Sequence, residues 1–171
     1  MNIIWILAIV INTLSCQNQP EPEDYLIPEG FKGRVNVIFN QQNGVPAKYE
    51  NGRRVYEIPS NGVLLTQFTD EYGLINRRYF YVDSDGKRMP LQIYKFDHNA
   101  DGTIRWIVEN KNEPGVFLDG TSGQYGNDND ARAVKYQEFI ISSYNELDSF
   151  YTDEYKKNFY SRVNQLTGIN R

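Results

Sequence analysis

The chain has 171 residues, with 18 Lys plus Arg against 22 Asp plus Glu, a formal net charge of −4 and a pI near 5.1. No basic cluster exceeds Arg53-Arg54 or Arg77-Arg78, which excludes the charge footprint of a nucleic-acid binder. The single cysteine, Cys16, excludes a disulfide framework, and the length suits one domain whose core needs no covalent staple. Thirteen tyrosines favour β structure without naming a ligand.

Met1 to Ser15 (MNIIWILAIVINTLS) carries no charged side chain, and Ile3 to Ile11 is its apolar core. A membrane span needs about 20 apolar residues, so the stretch reads as a secretory signal, residues 1–15. Ser15 directly before Cys16 is the pattern of a bacterial lipoprotein signal, in which cleavage leaves Cys16 acylated, palmitate included. Two features depart from that pattern. Thr13 stands where Leu is usual, and no Lys or Arg precedes the apolar run; a start upstream of Met1 would account for the missing charge. The competing reading is an N-terminal core strand or helix with a buried thiol. Residues 16–24, with the run Gln17 to Asp24 (QNQPEPED), then read as a lipidated cysteine on a flexible, acid-rich tether. Lipoprotein processing adds several acyl chains, and firm anchoring needs more than one.

From Tyr25 onward the chain reads as a single β-rich domain, residues 25–171. The alternating run Arg34 to Asn40 is a strand. Asn-Gly at 43–44, 51–52 and 61–62 supplies the positive φ angles of tight hairpin turns. Val63 to Thr66, Arg78 to Val82, Leu91 to Phe96 and Thr103 to Glu109 follow as short strands, with turns at Asp83 to Lys87 and Asp97 to Gly102. Lys111 to Asp130 is polar and Gly-rich and reads as a mobile loop. Val134 to Ser142 is one more strand. The period then changes. Ser143-x-x-Glu146 has the form of a capping box, and Leu147, Phe150, Tyr151, Tyr155, Phe159, Val163 and Leu166 recur at helical spacing up to Gly168. That predicts a helix over 145–167, or a pair of helices if Thr152-Asp153-Glu154 caps a second one. The fold class expected is α+β: a mainly antiparallel sandwich or sheet with a C-terminal helix or helix pair.

Tyr25-Leu26-Ile27-Pro28-Glu29-Gly30-Phe31-x-Gly33 leads into the strand Val35-x-Val37-Ile38-Phe39. Tyr56-x-Ile58-Pro59-x-Asn61-Gly62 and Tyr79-x-Tyr81-Val82-Asp83-x-Asp85-Gly86-Lys87-Arg88 follow. Together these resemble a family of uncharacterised bacterial lipoproteins that share an LIPEGF-G domain of unknown function. The resemblance is clear over Asp24 to Leu91 and weak in the C-terminal third. It implies an envelope lipoprotein of Bacteroidota type, anchored to a membrane with its domain outside the cytoplasm, and it transfers no site residue. A looser architectural likeness of the N-terminal half is to immunoglobulin- or transthyretin-like modules, and architecture alone does not give function.

Asp97, Asn99 and Asp101, followed by Gly102, match the opening of a calcium loop. Val108 occupies the twelfth position, where that loop needs a bidentate Glu, and the flanks read as strands; a β-turn selects the same residues. Asp119, Asp128 and Asp130 offer a second, looser set of oxygens. His98 is the only histidine, and no Gly-x-Ser-x-Gly elbow or histidine-based zinc pattern accompanies it. Glu29, Glu50, Glu57, Glu109, Glu113 and Glu138 are available to a carboxylate hydrolase, but no spacing selects a pair. Gly120 to Gly126 lacks the Lys and the strand-loop-helix setting of a phosphate cradle. Tyr79, Tyr81 and Trp106 lie on strands where an outward face would stack on a glycan or protein, and an inward face would fill the core. The expectation is a non-enzymatic, membrane-anchored binding or structural module without a cofactor. A toxin-masking immunity lipoprotein and a carboxylate hydrolase stand as the alternatives.

Overall fold

The computed structural model describes residues 19–127 and 133–169. Eleven strands precede two helical segments. The strands are β1 (Glu23–Pro28), β2 (Gly33–Ile38), β3 (Tyr49–Glu50), β4 (Arg53–Glu57), β5 (Val63–Leu65) and β6 (Arg77–Val82), then β7 (Arg88–Ile93), β8 (Lys95–His98), β9 (Ile104–Ile107), β10 (Gly115–Tyr125) and β11 (Val134–Ser142). A 3-10 helix (Tyr144–Tyr151) and α1 (Asp153–Thr167) complete the fold. Nine strands form one mixed sheet in the order β3-β4-β1-β6-β7-β10-β11-β2-β5, and β8-β9 stand apart as a hairpin. The class is α+β, as the change of period anticipates.

The sheet is mixed where an antiparallel one is expected. β1 runs parallel to both β4 and β6, β5 runs parallel to β2, and β10 runs parallel to β7. The Asn-Gly signals explain the difference. Only Asn51-Gly52 closes a hairpin, β3 to β4, with both residues at positive φ (51° and 73°). Asn61-Gly62 carries the chain from β4 to β5, which lies at the other end of the sheet. A tight turn fixes local direction, not which strand the chain joins next.

β7 joins the two halves of the sheet. Arg88 to Leu91 pair with β6, whereas Gln92 and Ile93 pair with β10. The halves then close on one another. Tyr25, Ile27, Tyr56 and Tyr79 of one half share a buried cluster with Val35, Val37, Phe39, Phe139 and Ile141 of the other. Each such side chain contributes about 1.5–3 kcal/mol by leaving water. At its centre Tyr56, Tyr25 and Tyr79, directly opposite one another in register, stack at 4.9 and 4.7 Å. Phe139 meets Tyr25 edge-on from the facing half at 5.2 Å.

The helices cover the outer face of the β10-β11-β2-β5 half. Phe159 and Val163 of α1 pack on Ile38, Val63 and Tyr125. Leu147 of the 3-10 helix packs on Phe117 and Ile140. Every residue of β2 is therefore buried. Its alternation places Val35 and Val37 in the inter-sheet core, and Arg34, Asn36 and Ile38 beneath the helices. Arg34 pairs there with Glu138, and its Nε donates to the Phe150 carbonyl at 2.9 Å.

At the C-terminal end the first boundary differs from expectation and the later two agree with it. The first helical segment is 3-10, and the Ser143 hydroxyl donates to the Glu146 carboxylate at 2.6 Å without capping a backbone N–H. Thr152 caps α1 through Tyr155 N, and Gly168 ends it at φ 71°. The helix pair is thus the form the sequence takes.

The expected loop Lys111 to Asp130 contains the longest strand of the sheet. β10 pairs with β11 and β7, and breaks register between Phe117 and Thr121, where Leu118 (φ 61°) and Gly120 (φ 77°) form a bulge. Its glycines serve close packing. A Cβ on Gly115 would lie 2.4 Å from the Tyr94 ring, and one on Gly123 would lie 2.6 Å from the Tyr136 hydroxyl. Asp128 and Asp130 lie outside the described residues.

The chain also enters the fold earlier than the tether reading places it. Glu23 and Asp24 are buried residues of β1. Burial is tolerable because each carboxylate meets arginine. Asp24 accepts from Arg53 Nε at 2.5 Å and from Arg78 Nη2 at 2.6 Å, and Glu23 accepts from Arg77 Nε at 3.0 Å.

Candidate functional site

The same register that stacks the tyrosines aligns three short patterns: Glu23-x-Tyr25, Arg54-x-Tyr56 and Arg77-x-Tyr79. Their polar side chains collect at the end of the sheet where β1 begins. Tyr25 bonds Glu23 Oε2 at 2.7 Å and Gln137 Oε1 at 2.9 Å. Tyr56 donates to Glu23 Oε1 at 3.3 Å, and Tyr79 donates to Asp119 Oδ1 at 2.6 Å. Burial pushes the Tyr25 and Tyr79 hydroxyls well above the ordinary phenol range, so both remain protonated donors.

Beside this network opens a cavity of about 240 Å³, whose charged and amide lining is Asp70, Glu71, Arg77, Asp119, Lys135 and Gln137. Five segments build it: Phe39 just after β2, the connection before β6, the start of β6, the β10 bulge with the residues after it, and the start of β11. Arg77 spends its Nε on Glu23, and its Nη1 lies against the bulge, 3.3 Å from where a Cβ of Gly120 would stand. Lys135 Nζ is 3.1 Å from Asp70 Oδ2 and lies over the Tyr72 ring at 4.9 Å. Burial works to raise the Asp70 pKa, but hydrogen bonds from Tyr72 and Lys135 outweigh it and hold the carboxyl below its usual range.

Gln137 is 4 % exposed, and its amide has an unpartnered end, Nε2. Tyr25 has one proton to share between Glu23 and Gln137. The carboxylate is the stronger acceptor; with the proton there, the amide meets the tyrosine oxygen through its NH2 and its carbonyl is the free end. In either orientation one end of a buried amide on the cavity wall lacks a partner, a cost of about 1–3 kcal/mol that a bound group would remove.

Of the residues singled out in the sequence, Asp119 lines the cavity, with Gly120 and Gly123 beside it, and Tyr79 reaches it only through its hydroxyl on Asp119; the others lie elsewhere. Asp97, Asn99 and Asp101 occupy the exposed β8-β9 turn. There Asp97 accepts from His98 N and Arg105, Asp101 accepts from Thr103 N and Oγ1, and Asn99 donates to Thr103 Oγ1. Among the described residues no group of three or more His, Cys, Asp or Glu is arranged to hold a metal ion. Tyr79 and Tyr81 face the core, and Trp106 packs between Phe96 and Phe117, so the three share no outward strip. Glu138, Glu50 and Glu57 are bound by Arg34, Arg88 and Lys48 respectively. Cys16 lies outside the described residues.

Sequence reasoning missed Glu23, Arg77 and Gln137. The first two carried a signal, the repeated charged-x-Tyr pattern ahead of each aromatic. Gln137 carried none, because only the facing half of the sheet gives it meaning.

A family model matches residues 19–150, from the approach to β1 through most of the 3-10 helix. The chain belongs to a family of unknown function, DUF6843. The match contains the cavity and all eleven strands and leaves out α1. No curated protein matches the chain. Among solved structures, a Bacillus anthracis crystal structure named "Putative Lipoprotein" is similar, at 16% identity and a TM-score of 0.50. It covers 71% of this chain and 70% of that one. At that identity the likeness shows the fold alone. Among the described residues no helix is long and apolar enough to cross a membrane.

Proposed function

We propose that this protein is a lipid-anchored envelope lipoprotein, held by acylated Cys16, whose domain binds a small polar solute without catalysing a reaction on it. The signal-like residues 1–15, Ser15-Cys16 and the fold likeness to a protein named as a lipoprotein support the anchor. One observation carries the binding half: the buried Gln137 amide with an unpartnered end, on the wall of a cavity that also presents Arg77.

The lining selects the ligand class. The guanidinium calls for an anionic group, and the amide for a hydrogen-bonding group next to it. A small carboxylate bearing a hydroxyl or amino group supplies both, and Asp119 or Glu71 can receive an ammonium. Glu29, Glu50, Glu57, Glu109, Glu113 and Glu138 are all absent from the cavity lining. Of the carboxylates that do line it, Glu71 is held by Arg54 and Glu21 N and Asp70 by Lys135, while Asp119 accepts from Tyr79 through Oδ1 and keeps Oδ2 for a ligand.

Calorimetric titration of the protein with a panel of amino acids and hydroxy acids tests the reading, beside Gln137→Met, which keeps the volume and removes the polar end. Saturable binding, weakened tenfold or more in the variant, is expected from the loss of one buried hydrogen bond. Equal binding by the variant, or no binding of any member, would remove the cavity from the account.

A further inference from the structure

The segment Tyr72 to Ile75 is apolar and unusually placed. Leu74 is fully exposed (100%), and Tyr72 beside it is 64% exposed. Polar chemistry occupies the flanking positions, yet Tyr-Gly-Leu-Ile lies at the tip of the connection leading into β6, where turn residues would normally be polar.

That tip runs beside the first described residues of the chain. Glu21 N donates to Glu71 Oε2 at 2.7 Å, Glu23 N donates to the Asn76 carbonyl at 3.0 Å, and a side chain on Gly73 would lie 3.4 Å from the Pro20 ring. Pro20 is four residues from Cys16. A fully extended chain covers at most about 3.6 Å per residue, so the acylated cysteine can lie no more than about 14 Å from Pro20. Leu74, next to Gly73, is thereby confined to within roughly 25 Å of the anchor. Tyr49 belongs to the same end, 51% exposed with its hydroxyl on Glu21 at 2.9 Å.

The charges at this end pair with one another. Arg54 holds Glu21 and Glu71, Arg53 and Arg78 hold Asp24, and Lys135 holds Asp70. Little net charge is left to attract or repel anionic lipid, and what the surface offers a bilayer is an aliphatic tip with flanking tyrosines. Tyrosine is enriched at the headgroup level of membranes.

We infer that Leu74 and Tyr72 form a second membrane contact, a tip that enters the bilayer interface next to the lipidated cysteine and turns the β1 end of the domain, with its cavity, toward the membrane surface. This rests on the anchor reading of Cys16. Acyl chains hold the domain on a leash that would otherwise allow many orientations, and the tip selects one.

The test uses the full chain purified from a lipoprotein-processing host and placed in vesicles of phosphatidylethanolamine and phosphatidylglycerol. Acylation consumes the Cys16 thiol, so Leu74→Cys offers one thiol for a polarity-sensitive fluorophore. Ser84→Cys is the control. Ser84 is exposed in the turn after β6, beyond a six-residue strand and so about 20 Å from the tip. Blue-shifted emission and quenching by a lipid-borne quencher at position 74, with water-like emission at position 84, is the expected result. Water-like emission at both positions in protein whose mass shows acylated Cys16 would overturn the contact and leave the anchor standing. An unacylated mass would overturn both.

Discussion

Two regions of this molecule hold an aspartate against an arginine, and the environments could hardly differ more. At the start of β1, Asp24 is 2% exposed and gathers Arg53 and Arg78. In the β8-β9 hairpin, Asp97 faces Arg105 at 3.0 Å with both side chains more than half exposed. Water screens the second pair and makes it worth little. In the first, Asp24 and Arg53 are shut away from water while Arg78 reaches in from the surface, and losing the arginines would leave a buried carboxylate unpaired. The local sequence ranks them in the opposite order. Asp97 belongs to a motif with the look of a metal loop, while Asp24 belongs to a stretch with the look of a tether.

The largest effect that would break this comparison is at the ladder between the arginines. Tyr25→Ala is expected to cost about 4 kcal/mol in equilibrium urea unfolding; a loss near zero would mean that the stacked tyrosines do not organise the sheet. Asp24→Asn comes next, at about 3 kcal/mol, since Arg53 and Arg78 lose their shared acceptor.

The same site contributes to the acid limb of stability. Burial works to raise the Asp24 pKa, but hydrogen bonds from Arg78 and Arg53 overcome it and hold the group below its ordinary 3.8. A carboxyl depressed in the folded state stabilises the fold above its unfolded pKa and loses that contribution as pH falls through the lower folded value. Unfolding free energy is expected to drop below about pH 4, and the Asn variant to show a shallower drop over that range; parallel curves would contradict the assignment.

A smaller effect is expected at β10. Gly115→Ala places a Cβ against the Tyr94 ring and the Gln92 carbonyl and is expected to cost about 2 kcal/mol, whereas a mobile loop would absorb the methyl without change. At the bottom of the scale, Asp97→Asn is expected to leave the denaturation midpoint where it was, and millimolar calcium to leave the melting temperature unmoved. A calcium-dependent rise would reinstate the metal loop.

The strands whose burial alternates, such as β6, were legible, because period and turn residues are local properties. So were the C-terminal helical period and its stop at Gly168. The parallel pairings were not, because an Asn-Gly turn reports its own geometry and says nothing of the strand beyond. β10 was hidden for a related reason: its glycines look like loop residues until Tyr94 and Tyr136 are seen lying across them. For Glu23 and Asp24, the prolines and acids around them are what a solvated leash would carry, and only the arginine pairs at 53–54 and 77–78 mark them as strand residues. Of the cavity, Arg77 was visible as a charged residue two before a tyrosine, while Gln137 depends wholly on the facing half.

The first strand begins at Glu23, and the proposed anchor, Cys16, precedes it by seven residues. Intact-mass spectrometry of the membrane-fraction protein, beside Cys16→Ala, tests this most directly. Loss of residues 1–15 with a gain of acyl mass in the native chain, and no acyl gain in the variant, is the result predicted. A native chain that keeps residues 1–15 and carries no lipid would contradict it, and Ile3 to Ile11 would then belong to the body of the protein.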